Sequence, residues 1–171
     1  MRKIAAMLTL LFVTLILSCM RMNTVHAVMT GTFTEEWTET GSSTLSNGTS
    51  IGYYKDTFVY SGVFSGNSTG NETDYSALSG GGRFRAVENF AGSFNASQPG
   101  ALTFQDEGYY SGIGLAGHWA SSFSGGTDGL AGLQGTMEAQ YPEGSCSWIG
   151  NSCSVQGTYT VTSATWGTTP S

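Results

Sequence analysis

The chain has 171 residues, of which 11% are charged, with 25 glycines and three prolines. That length holds one hydrophobic core and no second. The small charged fraction and many Gly, Ser and Thr residues exclude long helices, while 12% aromatics alternating with polar residues exclude disorder. Without residues 1–27, 3 basic residues stand against 12 acidic ones, a net of −9. This excludes a basic patch for nucleic acid or an anionic membrane surface.

The N-terminus reads as a targeting segment. Met1-Arg2-Lys3 is basic, Ile4 to Met20 is uncharged and apolar, and Val25-His26-Ala27 fits a small-x-small cleavage site that starts the mature chain near Val28. Two alternatives stay open. Ile16-Leu17-Ser18-Cys19 resembles a lipobox, with Cys19 lipidated, and an apolar run of about 17 residues is at the short limit of a membrane anchor. All three routes export residues 28–171 as a single domain.

Thr32 to Glu39 alternates as a strand with Phe33, Glu35, Trp37 and Glu39 on one side. A polar loop over Gly41 to Ser50 follows. Gly52 to Phe64 returns as a strand with Tyr54, Asp56, Phe58, Tyr60 and Phe64 in phase, and Ser65 to Asp74 reads as another polar loop. Asn47, Asn67, Asn71 and Asn95 each begin a glycosylation sequon, which a Ser/Thr-rich chain produces by chance. Phe84, Ala86, Glu88, Phe90, Gly92 and Phe94 form the longest period-two run, and Ala101 to Gln105 is a short strand after the Pro99-Gly100 turn.

From Tyr109 to Phe123 one face reads Tyr109, Ile113, Leu115, Trp119, Phe123. The other reads Tyr110, Gly112, Gly114, Ala116, His118, Ala120. Ser124-Gly125-Gly126-Thr127-Asp128-Gly129-Leu130-Ala131-Gly132 is a glycine-rich turn that opens into an alternating strand from Leu133 to Tyr141. Cys146 and Cys153, seven positions apart in a turn-like stretch, form a local disulfide in an oxidising compartment. Val155 to Thr162 closes the chain. About eight strands with no helix to cover them suggest an all-β closed barrel or a sandwich. Closure removes the exposed strand edges that promote aggregation.

Glu88-Asn89-Phe90-Ala91-Gly92, Gly100-Ala101-Leu102-Thr103-Phe104-Gln105 and Ser124 to Gly135 resemble a bacterial family of unknown function, the DUF3224 type, grouped with the allene oxide cyclase-like and dirigent-like barrels. The resemblance spans roughly Thr30 to Thr162. It implies an eight-stranded antiparallel barrel. Asn89 stands where the family tends to carry a basic residue, Asp128-Gly129 replaces a Gly-Glu order, and the Cys146–Cys153 loop looks like an addition.

No nucleophile motif, phosphate-cradling loop or cofactor motif is spelled out. The chain lacks a C-x-x-C pair, and His118 is the one histidine after residue 27, so no metal site and no cofactor are expected. A Glu pointing into a barrel is desolvated and its pKa raised, which suits acid–base chemistry, so Glu88, Glu35 and His118 are the catalytic candidates. Trp37, Phe84, Phe90, Tyr110 and Trp119 are the candidate ligand contacts. Two functions follow: a barrel that binds an apolar small molecule and either carries it or steers its cyclisation, or an exported structural or surface-interaction module filled by its own side chains.

Overall fold

A computed structural model describes residues 28–77, 80–111, 116–144, 146–149 and 152–167. The proposed leader, residues 1–27, lies outside them. Period-two alternation builds β1 (Met29–Thr44), β2 (Ser50–Gly62), β3 (Phe64–Ser76), β4 (Gly82–Phe94) and β5 (Gly100–Tyr110). It continues through β6 (Gly117–Ser124), β7 (Leu133–Tyr141), the short β8 (Ser147–Ile149) and β9 (Ser152–Trp166). Neighbours in sequence pair antiparallel, except that β7 passes over β8 to reach β9. β9 then returns to β1, from Met29↔Val161 to Thr38↔Ser152. The fold is a closed eight-stranded antiparallel β-barrel, with β8 an added short partner of β9.

Side chains two apart on a strand share a face, so each strand sends one row into the lumen. The lower half, at the β2–β3 and β4–β5 turns, is filled with rings. Phe64 lies within 4.9–5.4 Å, centroid to centroid, of Phe90, Phe94, Phe104 and Phe123, and Tyr60 stacks on Phe58 at 5.5 Å. Leu130, on the 3-10 turn Asp128–Leu130, is completely buried and stops this end. The Tyr159 hydroxyl reaches across to the β2–β3 turn, accepting from the Phe64 amide (2.8 Å) and donating to the Phe64 carbonyl (3.1 Å). Full burial of each such side chain contributes roughly 1.5–3 kcal/mol, so this half carries most of the apolar stabilisation.

Four sequence readings are corrected. The loop read over Gly41 to Ser50 is shorter, because β1 runs on to Thr44 and β2 begins at Ser50. Ser65 to Asp74 is not a loop but most of β3, and Phe64 begins that strand rather than ending β2. The strand placed at Ala101 to Gln105 runs on to Tyr110. The stretch from Tyr109 to Phe123 is two strands, so the phase changes between them. Tyr110 shares the inner face with Trp119, and Tyr109 lies outside against His118 at 5.6 Å between ring centroids. Ile113 and Leu115, placed on that face, lie outside the described residues.

The glycine-rich turn stands where the sequence puts it, with Gly125 and Gly132 at φ of 70° and 78° before β7 begins at Leu133. Further along, a Cβ on Gly135 would run into the Ser163 carbonyl and the Phe123 ring. Gly135→Val therefore costs more than about 1 kcal/mol, read as a lowered denaturant midpoint at unchanged m-value. An unchanged midpoint contradicts the close β7–β9 approach.

Cys146 and Cys153 are joined, with Cα atoms 5.7 Å apart. Closing so short a loop stabilises by about 2–3 kcal/mol in the chain-entropy picture. The unreduced protein should resist alkylation at both residues, and reduction should lower its melting temperature.

Candidate functional site: an acidic upper half of the lumen

Above the rings the lumen changes character. Glu35 on β1, Asp56 on β2, Glu72 on β3, Glu88 on β4 and Asp106 on β5 are all buried, and Asp74 on β3 is half-buried nearer the rim. No basic side chain meets them: Lys55, Arg83 and Arg85, the described lysines and arginines, are exposed on the outer face. Arg85 makes its ion pair there, with Glu107 at 2.8 Å. Trp37, Tyr54 and Tyr110, each half-buried, and the buried Tyr141 belong to the same end of the barrel. Exposure rises from Asp56 at 0% to Glu72 at 7% and on to Asp74, so the acidic half lies beneath the upper rim.

Glu88 borders the ring-filled half through Tyr60. Its Oε2 accepts from the Tyr60 hydroxyl at 3.2 Å and from the Ser68 hydroxyl. Gly70 on the neighbouring strand leaves room for it, since a Cβ there would press on Glu88 Cγ at 2.9 Å. Burial, and then the adjacent Asp106 carboxylate, push the Glu88 carboxyl well above its ordinary range. Oε1 and both Asp106 oxygens have no hydrogen-bond partner as ionised groups. A proton held on Glu88 gives the pair a hydrogen bond, with Asp106 accepting.

The second group is Glu35, Asp56, Glu72 and Asp74. Burial followed by the charges of Asp56 and Asp106 raises Glu35 strongly. Burial together with Asp74 and Asp106 pushes Asp56 up to about 7. Burial, Asp74 and Asp56 raise Glu72, and burial brings Asp74 to about 6. Glu35 Oε2, both Asp56 oxygens and Asp74 Oδ1 have no hydrogen-bond partner. Unpaired charge is very costly in such surroundings, so these groups hold protons or meet a cation.

The sequence candidates separate accordingly. Glu35 and Glu88 stand in the lumen, and Trp37, Tyr110 and Trp119 belong to its upper part. Phe84 is buried at the same level, 5.8 Å from Trp119. Phe90 belongs to the packed lower rings and is core. His118 faces outward, on a groove of about 780 Å³ that also involves Tyr109, Gln140, Gln156 and Thr158. It therefore does not join the carboxylates. Asp56, Glu72 and Asp106 were not singled out from the sequence, although Asp56 already stood in phase with Tyr54 and Phe58.

The fold and the site define a small closed barrel with an aromatic lower lumen and an acidic upper one. Residues 29–148 match the family described as Protein of unknown function (DUF3224), and the chain belongs to that family. It is similar to the crystal structure of a DUF3224 protein of unknown function from Shewanella oneidensis MR-1. The identity is 20%, the TM-score is 0.56, and the match covers 78% of this chain and 95% of that one. At that identity the likeness shows the fold. No curated protein matches the chain.

The raised carboxyls set a direction for pH. Each binds its proton more tightly in the folded than in the unfolded state, so folding takes up protons. Stability is full below about pH 4 and falls as pH rises through about 6 and 7, where Asp74 and Asp56 titrate. The metal-free protein should melt lower at pH 8 than at pH 5. Glu88→Gln should recover part of that loss at pH 8 and change little at pH 5. A melting temperature that rises steadily from pH 5 to pH 8 contradicts this.

Proposed function

We propose that this chain is an exported small-molecule-binding barrel whose ligand enters the upper half of the lumen. Its hydrogen-bond-donating or cationic head would lie against the carboxylates, and its apolar body against Trp37, Tyr54, Tyr110 and Tyr141. One observation carries the reading: six inward carboxylates, several with unpartnered oxygens, share a lumen with no inward basic side chain among the described residues. A polar head that brings donors relieves the cost of burying those acceptors.

This ligand differs from the wholly apolar one expected from the sequence, because the rings already occupy the deep lumen. The aromatic rim still suits an apolar body. A relationship to allene oxide cyclase-like barrels fits this reading, since steering a cyclisation draws on a dry chamber and a protonated carboxylic acid such as that of Glu35 or Glu88. The disulfide suits an oxidising compartment and supports export. Among the described residues no helix is long and apolar enough to cross a membrane.

The packed lower half favours a second reading, an exported structural module. Native mass spectrometry of gently isolated protein separates the two, combined with tryptophan fluorescence during titration with 2-phenylethylamine. A retained adduct or saturable quenching, lost in Trp37→Ala, supports ligand binding. A bare mass together with unchanged fluorescence supports the module.

A further inference from the structure

We propose that Glu35, Asp56 and Glu72, one from each of three adjacent strands, form a binding site for a hard divalent cation, Ca²⁺ or Mn²⁺. The inference goes beyond ligand binding, because it needs no organic molecule. Each of the three offers a carboxylate oxygen, and these oxygens all lie within 4.8 Å of one another. Two oxygens that touch one Ca²⁺ at about 2.4 Å are separated by no more than about 4.8 Å, so each pair of the three meets the spacing that a shared ion requires. Carboxylates from β1, β2 and β3 approach from one wall of the barrel and leave the opposite side of an ion to water or to further oxygens. Asp74, beside Glu72, is an additional carboxylate at this end of the lumen.

Proximity of acids alone does not make a site. The second observation is that Asp56 is fully buried with both oxygens lacking any hydrogen-bond partner; Glu35, 2% exposed, also has an unpartnered Oε2, with the Trp37 indole the donor beside its carboxyl. A carboxylate placed there for structure alone would be met by a hydroxyl, an amide or a basic side chain, as Glu88 is met by Tyr60 and Ser68. The donor set is all oxygen, which selects Ca²⁺, Mn²⁺ or Mg²⁺ over softer metals. Octahedral Mg²⁺ at 2.0–2.1 Å is the most demanding of these. The sequence carries no Cys or His metal spacing, and this carboxylate set is assembled only by strand register across 37 positions, from Glu35 to Glu72.

The test uses the mature chain with its disulfide intact, stripped with EDTA, at pH 7.5. CaCl₂ is titrated by calorimetry, MnCl₂ by loss of the six-line EPR signal of the free aqua ion, and both by thermal melting. The expected result is one ion per chain and a melting temperature raised on the order of 5 °C at hundredfold saturation. Asp56→Asn should weaken binding at least about tenfold and abolish the thermal response, while its metal-free form melts no lower than the parent. If that variant does not fold, Glu72→Gln replaces it with the same expectation. Glu138→Gln, on the outer face, should bind as the parent does. No uptake of either ion by the parent, or equal uptake by the Asp56 or Glu72 variant, overturns the proposal and leaves protons as the occupant.

Discussion

Six carboxylates face the inside of this barrel, and the chain supplies no inward lysine, arginine or histidine among the described residues to meet them. An isolated ionised carboxylate in apolar surroundings costs tens of kcal/mol on an idealised Born reckoning, which no small domain sustains. The charge must be removed or matched. Protons are one way, and a cation or a donor-bearing ligand is the other. Both leave the upper half of the lumen dependent on what solution brings to it.

The fold tolerates such a half because the other half is dense. Phe64, Phe90, Phe104 and Phe123 interlock edge to face, Leu130 stops the lower end, and Tyr159 ties β9 to the β2–β3 turn. Strand closure satisfies both edges of the sheet, so the ladder is complete around the barrel whatever occupies the upper lumen. The division also locates function. Deep positions are fixed by packing, and on the proposed reading an occupant would exchange at the positions below the rim, where tyrosines and tryptophan give way to solvent.

Much of this was legible in the residues. Strands with large rings at alternate positions, such as Phe84 to Phe94, declare both their period and their buried face, and they display Glu35 and Glu88 as misfits in apolar rows. β3 was invisible for a physical reason. Opposite large rings and the Glu88 side chain it presents Ser68 and Gly70, so the inner row is small and polar and the alternation vanishes. With β3 read as a loop, Glu72 and Asp74 were lost with it. Asp106 was missed because the strand was ended one residue short, at Gln105. The exchanged faces of Tyr109 and Tyr110 follow from reading a single phase through residues 111–116, where the chain passes from β5 to β6. Clustering of Glu35, Asp56 and Glu72 depends on register between three strands, which no local pattern encodes.

The most direct measurement is a high-resolution crystal structure of the native, disulfide-bonded protein, purified without chelator near neutral pH. The account predicts non-protein density in the upper lumen bounded by Glu35, Asp56 and Glu72, with the aromatic lower half unchanged. An upper lumen collapsed to direct contacts among its own side chains, each carboxylate paired only with another carboxyl group and no density between them, would contradict it.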